Sequence, residues 1–336
     1  MRTRRLVLVG VVLALVGAAC GGDARSESAA SAPVTVRLGY FPNVTHATAL
    51  VGVEKGLFAQ ALGPDRLETR TFNAGPAAIE ALLSGALDAT YIGPNPAINA
   101  FTRSKGEAIR IISGATSGGA SFVVRPDINS PADLKGAKVA SPQLGGTQDV
   151  ALRAWLRSNG VSADVVPQEN AQTLETFRAG TIAGAWVPEP WATRLVREGG
   201  GKVLVDEADL WPGGRFVTTH LIVRTAFLKE HPDTVRRLLE GQVAADAFVN
   251  ANPAEAQAAA NAAIEKATGK KLGAEIIEAS WKHLTFTNDP VASSLTEAAA
   301  NATEVGLLPK ADLTGIYDLG PLNGVLRGRG LPEVAS

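Results

Sequence analysis

Several short loops in this 336-residue chain run straight into positions where a helix should begin, and the side chains around them are neutral hydrogen-bonding groups. They are Asn43–His46, Asn73–Ala77, Pro94–Ala97 and Gly145–Asp149. A helix start presents N–H groups without an intrahelical partner and a partial positive charge. Several such starts converging on one cleft hold an oxyanion without any Lys or Arg. Asn43, Thr45, Asn73, Asn95, Thr147 and Gln148 add side-chain donors. That set suits a small tetrahedral or planar oxyanion rather than a phosphate cluster. Read singly, each Asn or Thr serves equally well as a plain helix cap. The group becomes a site only if the loops face a shared cleft.

Two further residues bear on the ligand. His46 stands at a helix start, where the dipole disfavours its charged form. It is either a neutral donor to a ligand or a satisfied loop histidine. Glu189 lies within Trp186-Val187-Pro188-Glu189-Pro190-Trp191. Such a carboxylate takes an ammonium group on a ligand, and it repels a plain anion such as nitrate unless it points to solvent or pairs across the cleft. Trp186 reads as core.

Enzyme signatures are missing. The chain has no G-x-S-x-G elbow, no G-x-x-x-x-G-K-[ST] phosphate loop, no H-E-x-x-H pair and no dinucleotide fingerprint. His46, His220, His231 and His283 are scattered, without ligand-like spacing, and no cofactor is expected. Lys and Arg total 32 against 33 Asp and Glu, a formal charge of −1. No basic run follows the N-terminus, which excludes a nucleic-acid partner of the usual kind.

The elements that must place these loops form two similar units, Phe72–Pro96 and Gln168–Pro190. Each reads as a polar loop, a short amphipathic helix ended by Gly85 or Gly180, a buried strand, and Pro-x-Pro as a closing loop. The strands are Thr90–Ile92 and Ala185–Val187. A loop at the carboxyl edge of a sheet is where open α/β proteins bind ligands. Two units a domain apart imply two facing lobes, with Asn95 and Glu189 at matching corners. Val34–Gly39 followed by helix Ala47–Lys55 and Lys138–Ala140 followed by helix Thr147–Asn159 repeat one strand–loop–helix logic. The crossings between lobes fall near Gly118-Gly119 and Phe216–Thr219. From Thr225 the chain reads as helices, Thr225–Glu230, Pro232–Asn250, Pro253–Thr268, Ala274–Leu284 and Val291–Val305, covering the outside of the first lobe.

At the N-terminus Arg2, Arg4 and Arg5 precede the apolar run Leu6–Val16 and then Gly17-Ala18-Ala19-Cys20. This is a secretory signal, since a membrane span needs about 20 apolar residues. Cys20 is the one cysteine, so no internal disulfide can form. Its place at the cut resembles the lipobox of bacterial lipoproteins, with Gly17 where Leu is usual.

LGYFPNVTHATALVGVEKGLF, FNAGPAAIEALLSGALDATYIGPNPAINAF and AWVPEPWA together resemble the substrate-binding lipoproteins of ABC importers for sulfonate, nitrate and taurine. The resemblance runs from Val34 to beyond Leu228. It implies a type 2 periplasmic-binding fold: two α/β lobes with a ligand clamped between them. The expected division is 1–19 signal peptide, 20–33 tether after a lipidated Cys20, 34–121 first part of lobe 1, 122–217 lobe 2, and 218–336 the rest of lobe 1 with its C-terminal helices. The implied ligand residues are Asn43, Thr45, His46, Gly75, Gly93, Asn95, Ser117, Gly118, Thr147, Gln148 and Glu189. The implied activity is capture of a small oxyanion, an aliphatic sulfonate or taurine first, by hinge closure, without chemical change, for delivery to an ABC permease and its ATPase. The protein is expected to be a monomer held extracytoplasmically by its lipid anchor. Relatives that bind nitrate, bicarbonate or thiamine-precursor pyrimidines leave the ligand open. A pyrimidine-precursor biosynthetic enzyme on the same fold is the alternative from another class, and a sensor module is a third.

Overall fold

The computed structural model describes residues 32–336. The signal peptide, Cys20 and the tether up to residue 31 lie outside the described residues. Pro33–Ser336 is one compact unit holding two sheets.

In chain order, β1 (Thr35–Tyr40) leads through a 3-10 turn at Val44–His46 into α1 (Ala47–Glu54) and α2 (Leu57–Leu62). β2 (Arg66–Thr71), α3 (Gly75–Leu83), β3 (Ala89–Ile92), α4 (Pro94–Arg103) and β4 (Ile109–Gly118) follow. The chain then changes sheets into β5 (Ala120–Val124), β6 (Lys138–Ser141), α5 (Thr147–Ser158), β7 (Asp164–Pro167), α6 (Asn170–Arg178), β8 (Gly184–Pro188), α7 (Trp191–Arg197) and β9 (Lys202–Asp206). It returns along β10 (Val217–Arg224) and ends in α8 (Thr225–Glu230), α9 (Pro232–Ala251), α10 (Pro253–Thr268), α11 (Ala274–Trp281), β11 (Leu284–Phe286), α12 (Ala292–Glu304) and α13 (Gly320–Gly328).

The two sheets share one plan. The first has the order β11-β4-β10-β3-β1-β2 and the second β7-β6-β8-β5-β9. In each, three parallel strands lie beside one antiparallel strand, β10 or β5. Both antiparallel strands directly follow a passage from the other sheet. The first passage is made at Gly118 and Gly119, whose φ values of 80° and 77° are left-handed and suit glycine. Apolar residues fill both faces of each sheet, as expected of strands buried on two sides. Arg37 on β1 and Arg224 on β10, either side of β3, both donate to the buried Asp88.

Three features differ from the sequence reading. Pro94-Asn95-Pro96 is the first turn of α4 rather than a loop, because the opening turn of a helix does not need the N–H that proline lacks. Helix Ala274–Trp281 ends short of Leu284, which instead starts β11 at the edge of the first sheet beside β4. The C-terminal helices are not confined to the first lobe: α12 packs on both α4 and α5, and α11 meets α7.

Candidate functional site

The carboxyl ends of β1, β2 and β3 in one sheet and of β6, β7 and β8 in the other open onto a shared hollow. Its volume is about 40 Å³. A buried water needs roughly 10–15 Å³ on such a measure, so the space takes a group of a few heavy atoms.

The first sheet contributes Asn43 and His46 after β1, Gly75 after β2 and Gly93 after β3. The second contributes Gly146, Thr147 and Gln148 after β6 and Asn170 after β7. Helices α3, α4, α5 and α6 all begin here, and none has a side-chain hydrogen bond at its N-cap. First-turn N–H groups have no intrahelical partner, but Pro76 in α3 and Pro94 and Pro96 in α4 carry none, so α5 and α6 offer the fuller sets of donors. Among the described residues, no Lys, Arg, Asp or Glu lines the hollow. The field comes from peptide dipoles.

Two buried side-chain atoms at this wall lack any partner among the described residues. They are Thr147 Oγ1 and Asn170 Oδ1. An unsatisfied buried polar atom is costly, and a ligand that met it would recover that cost on binding.

His46 is buried, and burial lowers its pKa to about 3, so the ring is neutral. The Phe41 N–H donates to Nδ1 at 3.3 Å, which leaves the ring hydrogen on Nε2. The Phe41 ring lies 4.3 Å away, centroid to centroid. Thr45 lines the hollow while its carbonyl accepts from Thr116 Oγ1 at 2.7 Å and Thr219 Oγ1 at 3.0 Å. Those bonds pin the loop to β4 and β10. On the other wall, buried Asp149 accepts from Ser141 Oγ at 2.7 Å and the Gly145 N–H at 3.0 Å. It thereby shapes the loop that delivers Thr147.

Four residues named from the sequence stand elsewhere. Asn95, on the first turn of α4, donates from Nδ2 to the Ala298 carbonyl at 3.0 Å, away from the hollow. Glu189 accepts from the Thr193 N–H at 3.1 Å and Thr193 Oγ1 at 2.9 Å, satisfying the start of α7. Burial pushes its carboxyl above the ordinary range, and it faces Ser280 and His283 rather than the hollow. Ser117 and Gly118 lie in the last residues of β4 at the passage between sheets and do not line the hollow. Conversely, Asn170, Gln143 and Thr218 line it without having been named. Asn170 shows the same polar-loop-into-helix pattern as Asn73, so its signal was present in Gln168-Glu169-Asn170.

The lobes meet directly across the opening. Trp191 Nε1 donates to Asn43 Oδ1 at 3.1 Å, and Asn73 Nδ2 donates to Glu169 Oε1 at 3.0 Å. The cleft is closed.

A profile of the NMT1-like family matches residues 29–264, most of the chain and nearly every site element. The chain belongs to the NMT1-like family. Among its relatives is a Brucella abortus protein, 29% identical over 226 residues, covering 66% of this chain and 68% of its own, whose name commits only to binding. The taurine-binding periplasmic protein of Escherichia coli is 26% identical over 208 residues, 61% of this chain and 64% of its own. Among solved structures, the alkanesulfonate-binding protein SsuA of Xanthomonas axonopodis pv. citri superposes with a TM-score of 0.70. It covers 84% of this NMT1-like chain and 96% of its own at 20% identity, a likeness of fold. The two-lobed periplasmic-binding architecture is thus the fold of this chain.

Proposed function

We propose that this NMT1-like chain is the extracytoplasmic solute-binding receptor of an ABC importer. It captures a small oxyanion by closing its lobes and passes it unchanged to the permease. One observation carries the reading: a closed, uncharged hollow between the sheets, ringed by uncapped helix starts, in which the buried Thr147 hydroxyl has no partner. A planar or tetrahedral oxyanion supplies the acceptors that those N–H groups and the Nε2–H of His46 lack. Contacts from both lobes favour the closed state over the open one, which is how binding drives hinge closure.

An aliphatic sulfonate stands first. Taurine stands second because its ammonium group would meet no carboxylate lining the hollow. The relative named for taurine supports the class rather than the particular ligand. Nitrate and bicarbonate engage the same donors and form the alternative arm of the test. In this reading residues 1–19 are removed, Cys20 is lipidated and the tether to residue 33 holds a monomer at the membrane. The lobes then span 34–121 with 218–336, and 122–217.

Calorimetric titration with ethanesulfonate, taurine, nitrate and bicarbonate tests the proposal. At least one is expected to bind with contraction of the protein in solution scattering. If none binds, or if only a pyrimidine does, the oxyanion reading is wrong.

A further inference from the structure

Behind the wall that Thr147 forms lies an ion pair on the same helix. Asp149 is fully buried, and its Oδ2 accepts from Arg153 Nε at 3.0 Å, one turn further along α5. The same oxygen accepts from the Gly145 N–H at 3.0 Å, and Oδ1 accepts from Ser141 Oγ at 2.7 Å. The carboxylate is thus bonded into the loop whose next residues, Gly146, Thr147 and Gln148, line the hollow. Arg153 is partly buried and does not line the hollow itself. Among the described residues no other Lys or Arg pairs with Asp149.

A carboxylate at this place works against an anion. Asp149 stands in the first turn of α5, where its charge offsets the partial positive charge that the peptide dipoles give the helix start. Like charges about 10 Å apart and shielded from bulk water weaken binding by roughly tenfold. Resting on the oxyanion reading above, we infer that Arg153, which does not touch the solute, is a positioning residue that sets its affinity. It neutralises Asp149, so that the start of α5 keeps its pull on the anion. Ser141 and the Gly145 N–H already fix the orientation of the carboxylate, so what the guanidinium adds is charge. The pair then gives the loop a buried acceptor for the Gly145 N–H without leaving a net negative charge behind the site.

The test is calorimetric titration of the full chain with ethanesulfonate, nitrate and bicarbonate, for the parent and four variants. For whichever anion binds the parent, Arg153→Met should weaken affinity about tenfold, and Arg153→Lys, which keeps the charge, should stay within threefold. Asp149→Asn keeps an acceptor for the Gly145 N–H and leaves the guanidinium uncompensated, so it should bind at least threefold more tightly than the parent. The double variant Asp149→Asn/Arg153→Met should return to within threefold of the parent. A pair that merely braced the loop would give the reverse, because each bond removed would weaken binding further. Arg153→Met strands a buried charge and risks unfolding. Asp149→Asn, Arg153→Lys and the double variant carry the test in that event. Asp149→Asn binding no more tightly than the parent, or a double variant that binds more than tenfold more weakly than the parent, overturns the inference while the oxyanion reading stands. Binding of none of the three anions by the parent overturns both.

Discussion

The Thr147 hydroxyl, on the first turn of α5 below the second sheet, packs against the bare Cα of Gly93 at the end of β3 in the first: a Cβ built on Gly93 would lie 2.3 Å from Thr147 Oγ1. The two lobes close to a distance that only a glycine at position 93 allows. The contact joins the two walls of the hollow, and it makes closure separable from folding.

Gly93→Ala should therefore block closure without harming either lobe. Gly93 has φ −72° and ψ 162°, which alanine adopts freely, so no backbone strain is added. The ligand-free melting temperature should shift by no more than about 1 °C, an effect of under about 1 kcal/mol for a unit of this size. Solute affinity should fall more than tenfold, equivalent to over about 1.4 kcal/mol. Scattering at saturating solute should retain the radius of the open form. Full contraction of the variant would show that the contact does not limit closure.

Thr147→Val keeps the shape and removes the hydroxyl. Because that oxygen has no protein partner, the ligand-free fold should be as stable as the parent or slightly more so. Losing a hydrogen bond to a charged ligand costs about 1.5–3 kcal/mol, roughly tenfold to a hundredfold in affinity. Thr147→Ser should stay within threefold of the parent by calorimetry. Equal affinities for Val and Ser would remove the hydroxyl from the site.

The pH dependence follows from His46. A protonated imidazole would attract an anion, so affinity would climb as pH falls through its pKa. With that pKa held at about 3 by burial, the His46 contribution to solute affinity should be flat between pH 8 and pH 5. Folding stability behaves differently. The folded pKa lies below the unfolded value of 6.5, so the stability attached to neutral His46 is complete above pH 6.5 and is lost progressively as pH falls toward 3. Titrations at several pH values and urea melts over the same range separate the two effects. A rise in affinity below pH 6.5 that His46→Gln abolishes would contradict the neutral-donor role.

Glu207 has the opposite sign. Its buried carboxylate accepts from Trp186 Nε1 at 2.7 Å, yet burial raises its pKa from 4.5 to about 7. The stability this group contributes is complete below pH 4.5 and is lost as pH rises through 7. Glu207→Gln keeps an acceptor for the indole N–H and removes the titration. It should be the more stable protein at pH 8 by roughly 2 kcal/mol, with the difference shrinking toward pH 5. Parallel denaturant melts at the two pH values decide this, and a constant difference would refute it.

What the sequence by itself determined is the local machinery. Glycine and proline positions marked where strands stop and helices start, as at Gly75-Pro76 and Gly146-Thr147, because these residues constrain or free φ whatever surrounds them. The balance of charge and the lack of basic loops showed that any anion must be held by dipoles. The doubled strand–loop–helix pattern pointed to two lobes because each buried strand needs a covering helix on its own stretch of chain.

What only the tertiary structure decided is which way each side chain faces. Asn95 and Thr147 both stand on the first turn of a helix beside the cleft. Thr147 meets Gly93, whereas Asn95 turns to the carbonyl of Ala298, 203 residues further along the chain. Successive helix residues are about 100° apart around the axis, and nothing local says which of them the opposite lobe will meet. Glu189 likewise reads as a ligand group until Thr193 takes both its oxygens. The C-terminal helices look like mere covering until packing sets α11 against α7 and α12 against α5 of the second lobe. Direction and long-range contact are properties of the assembled fold, and they fixed the membership of the site.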